Sequence, residues 1–217
     1  MLRRVKPFVD AMPKATRRTR SKAGASAGTT VNGTTTAAGG GTTGVTATEA
    51  RASSGPRYWL LKAEPESRIV NGQDVKFSID DLKEIKVSPW DGVRNHEAKN
   101  NMMAMKKGDL GFFYHSNCKT PGIVGVLKIA KEAYPDYTAF DKKHPYYDPK
   151  SKEESPKWFM VDVEYVRHLQ RMIPLPEIKS HADELKGMPL LTRSRLSVTS
   201  VPQEHWDYLL KLSETEP

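Results

Sequence analysis

The sequence predicts an α+β fold: a small, closed or nearly closed β-barrel with flanking helices, preceded by a disordered N-terminal tail. Three observations carry this reading. Residues 1–56 have a composition unlike the rest of the chain. Residues 57–214 hold about five short runs rich in β-branched and aromatic side chains, the pattern of strands. The helical stretches are inserted after the first strand and at the end of the chain, which with strands in mixed order suggests such a barrel.

The tail comes first. Residues 1–57 contain ten Lys/Arg and two acids, which accounts for the whole formal charge of +8. The remaining residues balance at 24 basic and 24 acidic groups, so any nucleic-acid site on the folded part is a local patch and not a broad field. Phe8 is the only aromatic residue in that first segment, and positions 24–44 are almost entirely Gly, Ala, Thr and Ser. Such a stretch buries too little apolar surface to offset the entropy of ordering its backbone. Its Arg-rich, acid-poor start suits a mitochondrial presequence, whereas Lys14–Lys22 suits a nuclear import signal or a phosphate-binding arm. The residues after it suffice for one core.

Arg57–Lys62 is apolar and β-prone, and Glu64-Pro65 ends it, because proline cannot extend a ladder. Asn71-Gly72 marks a turn. Ser78 followed by Asp81 at the third helical position reads as a capping pair opening a short helix that ends near Ile85. Val93–Met105 is the longest helical candidate, closed by Lys106-Lys107-Gly108. Asp109–His115 and Gly122–Lys131 read as a hairpin, and Lys157–Leu169 as a long strand. Leu196–Val198 is a short last strand. Pro202 then starts an amphipathic helix whose Trp206, Leu209 and Leu210 face the core.

One segment suggests chemistry. Trp90-Asp91-Gly92-Val93-Arg94-Asn95 places a tryptophan, a planar cation and an amide together, on what reads as a turn. These are the groups that recognise a flat, hydrogen-bonding ligand: a stacking face plus directed donors and acceptors. Unstacked nucleobases are the commonest ligand of this kind. The plainer alternative makes Trp90 a core anchor and leaves Arg94 and Asn95 to open a helix. A second long segment, residues 134–149, is rich in tyrosine and turn residues. It is either a flap over a bound base or a loop packed on the sheet.

Nine blocks in this order resemble the EVE-domain family. They include Tyr58–Pro65, Trp90–Asn95, Met105–Asp109, Phe112–Ser116, Gly122–Gly125, Tyr147–Ser151, Trp158–Val163 and Arg195–Val198. The resemblance runs from about Tyr58 to Leu212. It implies a PUA-like β-barrel related to YTH and ASCH domains, and binding of modified cytosines such as 5-methylcytosine and 5-hydroxymethylcytosine. With that implied ligand, Trp90, at the position matching the YTH cage tryptophan, floors a pocket for a flipped base, with Tyr147 and Trp158 as candidate second walls. Asn95 and groups of Tyr114, His115 and Ser116 read its edge, while Lys62, Arg94 and Lys99 hold flanking phosphates. DNA is favoured over RNA, and the expected protein is a nuclear monomer.

Other chemistries find less support. The six histidines are scattered and a lone cysteine, Cys118, cannot complete a zinc ribbon, so neither a metal nor a cofactor is expected. Cys118 reads as an exposed loop thiol. No phosphate-binding glycine loop and no apolar run of membrane-spanning length occurs. Two further readings stay open: an ASCH-like amidohydrolase built on Lys62, Glu64 and His115, and an interaction module whose tail does the binding.

Overall fold

The computed structural model describes residues 57–216. In chain order the elements are β1 (Tyr58–Ala63), β2 (Ile69–Val70), β3 (Gln73–Asp74), α1 (Ile79–Ile85), β4 (Val87–Trp90), α2 (His96–Ala104), β5 (Leu110–His115) and β6 (Gly122–Pro135). They continue with β7 (Phe159–Pro174), α3 (Leu175–Ser180), α4 (Pro189–Thr192), β8 (Val198–Val201) and α5 (Gln203–Leu212). The readings made of the tail lie outside the described residues.

Six strands form one mixed sheet in the order β4-β7-β6-β5-β1-β8, and β2 pairs with β3 around the Asn71-Gly72 turn. β1 runs parallel to β5, with Tyr58 opposite Leu110 and Ala63 opposite His115; every other pairing in the sheet is antiparallel. The hydrogen-bonded ladder is open. Its edges among the described residues are β4 and β8, so the closed barrel implied by the resemblance is not formed by strand pairing. The edge position of β4 explains how it tolerates Pro89, which has no N–H to donate. α2 packs on both β7 and β8 and so covers the core near both ends of the sheet.

Period-2 alternation divides the core. Trp59 and Leu61 of β1 and Phe113 of β5 join one buried cluster with Trp90, α1 and α2. Leu60, Phe112 and Tyr114 point the other way, into a second cluster with α3, α4 and α5. Trp206 anchors this second cluster, stacked on Phe112 at 4.1 Å and Tyr58 at 4.5 Å between ring centroids.

Ser78 caps α1 through the reciprocal bonds expected: its Oγ accepts from the Asp81 N–H at 3.1 Å, and Asp81 Oδ2 accepts from the Ser78 N–H at 2.7 Å. α2 starts three residues later than the sequence suggests, because Asn95 is extended and serves as its cap. β6 and β7 are longer than expected, bending through several register shifts along their shared ladder. Trp90 ends a strand instead of riding a turn.

Candidate functional site

A cavity of about 790 Å³ opens beside the C-terminal ends of β1 and β4. Lys62 to Glu64, Gln73 to Phe77, Ser88 to Arg94, Ser116 and Asn117, His144 to Tyr146, and the segment before β8 form its wall. It therefore collects residues far apart in sequence. Its volume lies within the roughly 300–1,000 Å³ of small-ligand pockets.

Trp90 is both wall and core. It is 6% exposed, and its ring meets Phe77 and Phe113 edge-on at 5.8 and 5.4 Å. The two readings of this residue, anchor and ligand wall, thus describe one side chain. After Trp90 the chain turns at Gly92, whose φ of +73° suits glycine; a Cβ there would lie 2.5 Å from the Tyr146 ring.

The turn is fastened by Arg94. Its Nη1 donates to Asp136 Oδ2 at 2.7 Å, its Nε to the Tyr146 carbonyl at 2.8 Å and its Nη2 to Thr138 Oγ1 at 3.1 Å. Asp136 is fully buried and accepts from four groups: Arg94 and the Gly92 N–H on Oδ2, the Thr138 N–H and hydroxyl on Oδ1. An arginine so engaged has little left for a phosphate. Arg94 is a staple between the Trp90 turn and the tyrosine-rich loop, which is packed on the sheet and lends Tyr146 to the cavity wall.

The other expected site residues divide. Lys62 and Ser116 line the cavity with Trp90 and Arg94. Lys62 Nζ donates to the Ser194 carbonyl at 2.9 Å, and burial lowers its pKa. Ser116 donates through its N–H and hydroxyl to the Ala63 carbonyl at 2.8 and 3.1 Å. The remaining six do not line it. Tyr114 points into the opposite cluster, as strand alternation requires; burial pushes its phenol up to about 12. His115 Nε2 accepts the Ile79 N–H at 3.2 Å and is thereby tied to the start of α1. Burial lowers its pKa, in keeping with a neutral, accepting ring. Asn95 is exposed, with Oδ1 accepting the Ala98 N–H at 3.0 Å. It borders a smaller groove of about 260 Å³ next to Arg193, Ser194 and Arg195. Lys99 lies one turn further along α2. Tyr147 is half-buried, its neighbour Tyr146 taking the wall position. Trp158 stands behind Arg94, 5.7 Å from the guanidinium, with Nε1 donating to Asp148 at 2.7 Å.

Two wall residues escaped the sequence reading. Asp91 faces the cavity, and burial together with the Asp136 charge raises its carboxyl to about 6, against the opposing pull of Arg94. Its place beside Trp90 was visible; the approach of Asp136, 45 positions away, was not. Arg195 is exposed, borders both the cavity and the smaller groove, and has no side-chain partner among the described residues.

The groups of the hydrolase reading are held separately. Lys62 is bound to Ser194, His115 to Ile79, and Glu64 accepts from Arg68 Nε at 2.6 Å. Burial pushes the Cys118 thiol up, the wrong direction for an activated nucleophile.

Comparison with known proteins fits this architecture. The family model for the EVE domain matches residues 57–212. Thymocyte nuclear protein 1 of Mus musculus is 56% identical over 169 residues, 74% of this chain and 75% of that protein. A crystal structure of human THYN1 protein in complex with DNA containing 5-methylcytosine superposes with a TM-score of 0.73 at 55% identity, covering 74% of this chain and 99% of that one. A Pseudomonas putida protein of solved structure superposes at 0.66 with 40% identity, over 72% of this chain and 99% of that one. With a family match across the described fold and relatives at this identity, the chain belongs to the EVE-domain family.

Proposed function

We propose that this protein is a non-catalytic reader of a modified base in DNA, with modified cytosine favoured, and that it takes the flipped base into the cavity beside Trp90. The observation that carries the reading is an aromatic wall set among Asp91, Lys62 and Ser116, in a chain that shares 55% identity with a human protein crystallised on 5-methylcytosine DNA. A base leaving its duplex gives up stacking and pairing, a few kcal/mol. Contact with an aromatic face returns about 1–3 kcal/mol of this. Trp90, Phe77, Pro89 and Val93 offer apolar surface for a 5-methyl group, and the polar wall offers partners for the base edge.

Lys62 and Arg195 hold the phosphates next to the flipped nucleotide, with Lys99 further along the strand; Arg94 supports the wall from within. Tyr147 and Trp158 stiffen the loop behind it. The protein acts as a monomer in the nucleus, where its basic N-terminal segment serves import or nonspecific phosphate binding. The test is binding of the full chain to duplexes identical except for one position carrying cytosine, 5-methylcytosine or 5-hydroxymethylcytosine, at one fixed salt concentration. A several-fold tighter dissociation constant for a modified duplex supports the reading. Equal affinities for all three refute it.

A further inference from the structure

We propose that Asp91 is the residue that reads the edge of the bound base, and that it does so as a neutral carboxylic acid donating one hydrogen bond and accepting another. The inference rests on the cavity being a base pocket. Asp91 follows Trp90 directly in the wall, so a base lying against the indole brings its edge within reach of this side chain. No donor among the described residues reaches the Asp91 carboxyl, although it is half-buried. The one guanidinium near it, that of Arg94, is spent on Asp136, which already accepts four hydrogen bonds.

The surroundings favour the protonated form. On β7, Asp162 stands in register with Pro89 and accepts from the Tyr134 hydroxyl of β6. The Tyr137 and Tyr146 phenols, both raised by burial, supply no charge, and the ring of His144 is held towards its neutral form by burial. Lys62, also in the wall, donates to Ser194. The cavity wall also carries Lys76 and Arg195 against Glu64 and Asp74. Burial is the chief cause that lifts the Asp91 carboxyl to about 6, with the Asp136 charge adding to it and that of Arg94 opposing it.

The chemistry of the edge makes this useful. Cytosine, with or without a 5-substituent, presents an N3 acceptor beside an N4 amino donor. A carboxylic acid matches both: its O–H donates to N3 and its carbonyl accepts from N4. A carboxylate offers acceptors only, and sets a lone pair against N3. An asparagine in the same place reproduces the acid's pattern without titrating.

The test compares the full chain with Asp91→Asn and Asp91→Ala on an oligonucleotide carrying one 5-methylcytosine, by fluorescence anisotropy between pH 5.5 and 7.5. A group titrating near 6 is ~3% protonated at pH 7.5 and about three-quarters protonated at pH 5.5, so binding by the acid form alone tightens roughly twenty-five-fold as pH falls. Asp91→Asn is expected to bind more tightly than the parent at pH 7.5 and to lose most of this pH dependence. Asp91→Ala is expected to bind at least tenfold more weakly than Asp91→Asn at both ends. Protonation of His144 affects parent and Asp91→Asn alike, so the difference between their profiles isolates the proton held between Asp91 and the base edge. Identical profiles for parent and Asp91→Asn, or parent-like affinity in Asp91→Ala, overturn the assignment while leaving the base pocket standing. Loss of all preference for the modified base in the parent itself overturns the pocket, and this inference with it.

Discussion

A tryptophan that walls a cavity while packed in the core loses two things when truncated. Trp90→Ala removes the ligand face and also leaves a void against Phe77 and Phe113. It is expected to cost about 3–5 kcal/mol in urea unfolding, as for other large-to-small core changes, as well as binding. Trp90→Phe keeps part of the packing and separates the two losses. Arg94→Ala strands the buried Asp136 carboxylate without its cation, a loss of roughly 3–5 kcal/mol that a phosphate-binding surface arginine would not show. Arg195→Ala should instead leave the unfolding midpoint unchanged and weaken binding to modified and plain DNA equally. Asp91 adds a pH signature. Its folded pKa of about 6 lies above the ordinary 3.8, so the stability it contributes is full below pH 3.8 and lost as pH rises through 6. Asp91→Asn keeps that stability at neutral pH. Its melting temperature should exceed the parent's at pH 7.5, by the equivalent of about 1–3 kcal/mol, and the gap should vanish near pH 4.

At the scale of elements, sequence and structure agree where a pattern repeats over enough residues. β1, β5 and β6 were visible as runs of apolar, β-branched and aromatic residues, β7 by alternation and α5 by helical periodicity, and the α1 cap was visible as Ser78 and Asp81. β4 was not, because four residues including a proline carry no periodic signal; only its edge position beside β7 makes it a strand. α3 and α4 are too short for the same reason. Of the cavity wall, the sequence singles out Trp90, Lys62, Arg94 and Ser116. Tyr114 falls outside the cavity because its place on β5 turns it into the cluster opposite Trp90, and Asn95 because a cap and a ligand-reading amide look alike in sequence. Asn95→Ala is expected to cost about 1 kcal/mol through loss of the Ala98 N–H bond. The α5 packing is tested by Trp206→Ala, expected to cost about 3–5 kcal/mol with base selectivity unchanged, since Trp206 lies in the cluster opposite the cavity.

For the whole molecule, charge and fold are segregated along the chain. The ten basic residues of positions 1–57 carry the net charge, while the EVE domain is neutral and offers single cations at a cavity rim. Removing residues 1–56 should therefore leave thermal unfolding nearly unchanged and flatten the dependence of DNA affinity on salt. The base preference proposed for the cavity should survive. The most direct test of the account is a crystal structure of the protein with a duplex carrying one 5-methylcytosine. That base is expected to be rotated out of the stack and seated against Trp90, its N3/N4 edge towards Asp91. A modified base still paired within the duplex, with the cavity left to solvent, would contradict it.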